Sequence, residues 1–204
     1  MSRRIVALLL AAGQSRRMGQ PKQLLPYREG TMLEAVLESI LASSADGLVV
    51  VANPQVGEFL GEALPERCFL AINSDAESEM LDSVKIGAAR IEVEFKPQAE
   101  DGVLVVLADQ PQVSAGVITT CVEAYRLPKR HPGILIASYR GRRGHPSIFS
   151  IGLLRKIQDW NSDRKLSDLS LEHPEAVREL PITIAPMPLD VNTPQDYERL
   201  TGKE

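Results

Sequence analysis

The chain is short of cysteine, of long apolar runs and of surplus positive charge, and each shortage narrows what it can be. Its 204 residues include only two cysteines, Cys68 and Cys121. They lie far apart, without metal-ligand spacing and within apolar stretches, which fits reduced core thiols rather than a zinc site or a disulfide framework. No stretch approaches the ~20 apolar residues of a transmembrane helix. The apolar run to Ala12 follows Arg3-Arg4 and so mimics a signal peptide, but it is short and ends in a polar glycine turn. The expectation is a cytoplasmic protein without a membrane partner. A net charge of −4 argues against a surface that wraps nucleic acid. The sequence has no internal repeat, no low-complexity linker and no Ser/His/Asp-like constellation for nucleophilic catalysis.

What is present is a globular composition, 44% hydrophobic and 25% charged, over a length that suits one sizeable core. Ile5–Ala11, Leu48–Ala52, Cys68–Ile72 and Val103–Ala108 read as strands. The last is continuously apolar, as expected of a strand buried on both faces. Thr31-Met32-Leu33-Glu34 is a capping box that opens a helix with Leu33, Leu37, Ile40 and Leu41 on one face. Gln55–Leu64, Met80–Ile91 and Ser114–Tyr125 are the next helical segments. The alternation predicts an α/β fold with a mainly parallel sheet and helices on both faces. After Pro128 the pattern changes. Ile134–Tyr139 and Ser147–Phe149 read as strands around a basic turn, Arg140–Gly144. Ile151–Trp160 and Lys165–Glu172 read as helices, Ile182–Ala185 as a strand and Gln195–Leu200 as a last helix.

The most informative stretch follows the first strand: Gly13-Gln14-Ser15-Arg16-Arg17-Met18-Gly19-Gln20-Pro21-Lys22. Glycines let a backbone approach phosphate oxygens closely, and Arg and Lys supply the charge that a polyphosphate needs. A Walker A loop would have Lys and Ser/Thr directly after its second glycine, and a dinucleotide fingerprint would have glycine at Ser15. Both fail. The remaining pattern, G-x-S-x-R-M-G-x-P-K, points to a nucleotide site of another kind.

Ligands of open α/β sheets bind beyond the carboxyl ends of the strands. Asp109 stands there, in Leu107-Ala108-Asp109-Gln110-Pro111, and reads as a Mg²⁺ ligand, because Mg²⁺ is held by one or two carboxylates plus substrate phosphates. A turn or cap is its plainer role. Asp190 and Asn192, two residues apart in Leu189–Pro194, face the same way if extended, and either is a candidate for the same metal. A helix cap at Asn192 or Thr193 is the alternative.

Together these pieces resemble the MobA-like nucleotidyltransferase family, in particular its branch acting on the molybdenum cofactor with CTP. The likeness runs from Leu9 to Tyr197 and implies a Rossmann-like three-layer sandwich with a mainly parallel, mixed sheet. It also implies one domain, 1–204, with 1–127 as the nucleotide-binding half and 128–204 as the acceptor side. By resemblance, Gly13 and Gly19 shape the phosphate loop, with Ser15 between them, while Arg17 and Lys22 neutralise phosphates and Asp109 binds Mg²⁺. Ala11-Ala12-Gly13 is similar to the cytidylyl branch, where guanylyl enzymes tend to have Ala-Gly-Gly. Ser83 resembles the serine that reads the base. The Asp190–Thr193 segment resembles a closing D-[IV]-D-T-P motif, with Asn192 departing from it. Gly144-His145-Pro146 resembles the acceptor-side G-H-P segment. The family's acidic-glycine turn before Ser83 is replaced by Glu77–Met80, and its Gly-Ala-Arg segment is not recognisable in Asp163–Leu166.

The implied reaction moves an NMP, CMP from CTP by preference, onto a phosphorylated small-molecule acceptor, with molybdopterin as the favoured one and pyrophosphate released. The rivals are a guanylyltransferase of the same pathway, a cytidylyltransferase for a sugar or polyol phosphate, and a nucleotide-binding chaperone or regulator. Transient contact with molybdoenzyme maturation proteins is a further expectation, and the net charge leaves no nucleic-acid partner expected.

Overall fold

In the computed structural model, residues 3–15, 18–61, 64–127, 133–161, 163–183 and 188–202 are described. Seven strands form one sheet: β1 (Ile5–Ala11), β4 (Gly47–Ala52), β5 (Cys68–Ile72), β6 (Gly102–Leu107), β7 (Ile134–Tyr139), β8 (Arg142–Ser150) and β9 (Val177–Pro181). A two-stranded ribbon, β2 (Pro26–Tyr27) and β3 (Gly30–Thr31), lies apart from it. The order in the sheet is β5-β4-β1-β6-β8-β7-β9, and β8 alone runs against its neighbours. The chain passes from β1 to one side through β4 and β5, then returns to β6 on the other. Between β1 and β6 it therefore has the strand-order reversal at which open α/β sheets bind ligands.

Strand alternation sorts the core into two layers. Ile5, Ala7, Leu9 and Ala11 point to one face with Leu104 and Val106. They meet α1 (Met32–Leu41), α2 (Pro54–Leu60) and α4 (Ala115–Arg126). Val6 and Leu8 point to the other face with Val103 and Val105. There they meet α3 (Met80–Phe95), α5 (Ile151–Leu154) and α6 (Leu166–Glu172). This is the expected three-layer, Rossmann-like sandwich. A Cβ on Gly87 would lie 2.2 Å from a Leu8 methyl, so glycine is what lets α3 settle onto the sheet. A third apolar cluster, Leu25, Met32 and Val191, lies beside α7 (Pro194–Thr201), whose Tyr197 and Leu200 pack against it. Among the described residues no helix is long and apolar enough to cross a membrane.

The expected elements need several corrections. The capping box forms as read: Thr31 Oγ1 accepts from the Glu34 amide and the Glu34 carboxylate accepts from the Thr31 amide. Its helix buries Met32, Leu33, Val36 and Ile40, however, and leaves Leu41 exposed. The helix expected to reach Leu64 stops at Leu60, where Gly61 takes a left-handed φ of 61°. The basic turn is only Arg140-Gly141; Arg142–Gly144 belong to β8, whose exposed outer half has no apolar pattern to show it. The helix expected over Ile151–Trp160 gives way after Leu154 to a 3-10 turn, Arg155–Ile157. The strand expected at Ile182–Ala185 is instead β9, which borders only β7 and keeps Arg178 and Glu179 exposed, so its residues do not read as a core strand. Ile182 still donates its amide to Ser138 just beyond β9, and residues 184–187 are outside those described.

Candidate active site

The loop after β1 is shaped by amides. Gln23, only 2% exposed, donates Nε2 to the Ala11 carbonyl at 3.2 Å and to the Gly13 carbonyl at 2.9 Å. Asn53, buried at the start of α2, donates to the same Gly13 carbonyl at 3.4 Å while its Oδ1 caps the helix. Ser15 takes a left-handed φ of 51°, and its Oγ accepts the Lys22 amide at 2.9 Å, closing the loop on itself. Gly19 has φ 67°, a turn conformation that glycine adopts without strain. Ala12 packs against the α3-side core. Arg17 lies outside the described residues.

Three candidates from distant parts of the chain meet at one point. Lys22 Nζ donates to Asp109 Oδ2 at 2.6 Å and to Asn192 Oδ1 at 3.0 Å. The Lys22 and Asp109 side chains are only 13% and 15% exposed, so this ion pair is largely withdrawn from solvent. Asp109 arrives on the turn after β6. Asn192 arrives because Val191, fully buried against Leu25 and Met32, pins the returning chain, and because the Val191 amide donates to the Asp109 carbonyl at 3.3 Å. Thr193 and Asp196 cap α7 reciprocally. The cap's hydrogen bonds, first that from Thr193 Oγ1, hold the Asp196 carboxyl below its ordinary range.

Asp190 is placed differently. It is exposed, and its Oδ1 accepts from Gln110 Nε2 at 2.5 Å. Gln110 itself is 5% exposed, and its Oε1 is buried with no hydrogen-bond partner among the described residues. Such an orphan costs about 1–3 kcal/mol.

Two cavities adjoin this point. The smaller, about 320 Å³, is lined by Gly13, Gln14, Ser15, Lys22, Asn192 and residues 76–79. The larger, about 920 Å³, is walled by β7 and β8, α6, the start of α3, and Gln110 and Asp190. Gly144 and His145 line the larger cavity, whereas Pro146 is buried and does not. His145 and Pro146 are the extra residues of a bulge, since Ile136 faces Ser147 and Ala137 faces Gly144. Tyr139 holds the bulge by donating its hydroxyl to the His145 carbonyl at 2.9 Å. Burial holds the His145 imidazole below its ordinary pKa, against the opposing pull of the Val105 carbonyl and of the Asp190 and Asp109 charges. Arg143 lines this cavity while paired with Glu179.

Ser83 lines neither of these cavities. It is 6% exposed and accepts a hydrogen bond from Asn73 Nδ2 at 3.0 Å. Asn73, just beyond β5, also donates to Ser78 and so ties the wall of the smaller cavity to α3. Gln23, Asn53, Asn73 and Gln110 were not foreseen; their only sequence signal is an amide next to a strand end or loop. The thiols of Cys68 and Cys121 are pushed up by burial to about 11 and about 12, and so stay protonated.

Comparison with known proteins places this arrangement. The nicotine blue oxidoreductase of Paenarthrobacter nicotinovorans is 30% identical over 154 residues, covering 73% of this chain and 72% of that protein. The molybdenum cofactor cytidylyltransferase of Escherichia coli K12 is 26% identical over 203 residues, covering 98% and 96%. The crystal structure of Rv0371c from Mycobacterium tuberculosis H37Rv superposes with a TM-score of 0.84 at 28% identity, over 99% of both chains. A structure of the same protein in complex with manganese gives 0.79 at 25% identity, over 99% of this chain and 100% of that one. The MobA-like NTP transferase domain matches residues 7–177, which include the Gly13 loop, Lys22, Asp109 and the bulged G-H-P segment; the chain belongs to this family of nucleotidyltransferases.

Proposed function

We propose that the protein transfers a nucleoside monophosphate, CMP from CTP by preference, onto a phosphate-bearing small molecule, with a molybdenum-cofactor precursor as the first candidate. The observation that carries this reading is the junction between the cavities. Lys22 and Asn192 line the smaller one, Gln110 and Asp190 line the larger one, and Asp109, in contact with Lys22, is the residue before Gln110. A nucleotide in the smaller cavity and an acceptor in the larger would meet beside these residues.

In the reaction, an acceptor phosphate oxygen attacks the NTP α-phosphorus in line. The bond from that phosphorus to the bridging oxygen breaks and pyrophosphate leaves. The acceptor phosphate is already mostly ionised at neutral pH, so no protein base is needed. The work of the chain is alignment and charge neutralisation. The Gly13 loop offers backbone N–H groups, with its inner carbonyls occupied by Gln23 and Asn53. Lys22 neutralises the charge that develops toward pyrophosphate, as Arg17 would from the same loop. His145 and Gly144 line the acceptor side.

The donor set suits Mg²⁺. Two hard oxygens, Asp109 Oδ2 and Asn192 Oδ1, converge on a single cation, here the Lys22 ammonium. No group of three or more His, Cys, Asp or Glu that could hold a metal occurs among the described residues, so substrate phosphates would complete the coordination. Asp109 and Asn192 would hold the ion, with Asp190 behind them. When bound, Mg²⁺ supplies charge neutralisation at the phosphates. The manganese complex of the mycobacterial protein supports a divalent site in this fold. Preference for CTP rests on Ala11-Ala12-Gly13, which resembles the cytidylyl branch where guanylyl enzymes tend to have Ala-Gly-Gly.

Pyrophosphate release decides the matter. The protein is incubated with Mg²⁺ and molybdopterin, once with CTP and once with GTP, and with sugar phosphates in place of molybdopterin. Release with CTP and molybdopterin is expected. Release with GTP or with a sugar phosphate alone would move the assignment, and no release from any pair would favour a binding role.

A further inference from the structure

We propose that Gln110 is a positioning residue of the transfer site. Through Asp190 it fixes the Leu189–Asn192 segment, so that the Asn192 amide oxygen faces the same cation position as Asp109. What the position serves rests on the transferase reading; the tether itself does not.

Packing does not explain a glutamine here. Gln110 is 5% exposed, and its Oε1 is buried without a partner among the described residues. An apolar side chain would fill the space without leaving that oxygen orphaned. Direct ligand recognition by the oxygen does not explain it either, because Oε1 is shut off from the cavity that the residue lines. What the side chain does is donate Nε2 to Asp190 Oδ1 at 2.5 Å, across 80 positions of sequence.

This contact completes a short ladder between two segments. Asp109-Gln110 lies against Asp190-Val191-Asn192. Gln110 holds Asp190, the Val191 amide donates to the Asp109 carbonyl at 3.3 Å, and Lys22 joins Asp109 to Asn192. Val191 anchors the returning segment on its apolar side. Without Gln110, nothing polar in this ladder holds the segment on the side of the larger cavity. Asp190 thereby acts through Gln110 rather than as a member of the Asp109–Asn192 oxygen pair.

The first test needs no ligand. Amide hydrogen exchange at Val191 is compared between the wild-type chain and Gln110→Leu. Protection is expected to fall by about tenfold or more, as for a locally released segment; unchanged protection overturns the tether. The second test exchanges the partners isosterically. Gln110→Glu alone sets a carboxylate against Asp190. Mn²⁺ affinity in the presence of CTP, read by electron paramagnetic resonance, is expected to fall about 10–100-fold, as when an outer partner of a metal ligand is lost. Adding Asp190→Asn swaps donor and acceptor and is expected to return both affinity and Val191 protection to near wild type. Failure of that rescue overturns the positioning role even if Gln110→Leu does not fold. Wild-type protein that binds no Mn²⁺ with CTP overturns the proposed CTP and metal site instead, and the exchange data still decide the tether.

Discussion

Lys22 sits with its ammonium against Asp109 and Asn192, in a pair that solvent barely reaches. A triphosphate would offer the same ammonium stronger partners. Lys22→Met is therefore expected to weaken CTP binding by about 10–100-fold, the worth of one charge-assisted hydrogen bond. Calorimetry with Mg²⁺ and CTP measures this, and unchanged affinity would remove Lys22 from the phosphate site. Asp109→Asn keeps the shape and one oxygen but loses the charge. Pyrophosphate release should fall by roughly 10²–10³-fold, as when one electrostatic contact to the transition state is lost, with the fold retained but the melting temperature lowered, because Lys22 loses its counter-charge. Wild-type release would end the metal role of Asp109. These residues were legible because charged side chains at strand ends and glycine turns stand out in sequence. Gln23 and Gln110 were not. An amide leaves no charge pattern, and its partners, Gly13 and Asp190, lie 10 and 80 positions away, so only the fold reveals the pairing.

Helix α3 shows how an element sets the site. Its N-terminal residues Glu79–Leu81 border the larger cavity, and Glu79 borders the smaller as well. Its depth on the sheet is fixed at Gly87, where a Cβ would meet Leu8 at 2.2 Å and Val51 at 2.9 Å. Gly87→Ala should overpack this contact by about 1–3 kcal/mol, or roughly 2–12 °C in Tm for a chain of this size. Leu8→Val in the same chain should recover part of the loss; if the double variant is no better than the single, the contact is not what sets the depth. Central strands were legible because burial on both faces makes them continuous apolar runs. The outer half of β8 and all of β9 were not, since their exposed sides carry Arg142, Arg143, Arg178 and Glu179. Whether a single glycine inside a helix marks a close approach depends on what packs above it, which periodicity alone does not tell.

At the scale of the whole molecule, the site depends on the chain returning late to where it began. The reversal between β1 and β6 brings the Gly13 loop and Asp109 together, but Asn192 is carried in from the far end of the chain, where Val191 enters the cluster of Leu25 and Met32 and Tyr197 donates to the Pro26 carbonyl at 2.6 Å. This closure was legible only as a motif, because nothing local in Leu189–Pro194 indicates which surface it will meet. Val191→Ala removes two buried methyl groups, worth about 1.6 kcal/mol at ~0.8 each, or roughly 3–6 °C in Tm. Ile118→Val, on the buried face of α4, should cost a similar amount, about 0.5–1.5 kcal/mol. If Val191 serves only stability, the two variants will share the same KM for NTP. If it registers Asn192 against Asp109, the KM of Val191→Ala should rise several-fold while that of Ile118→Val stays at the wild-type value. Equal KM values in the two variants, at matched loss of Tm, would show that the apolar anchor and the site are independent.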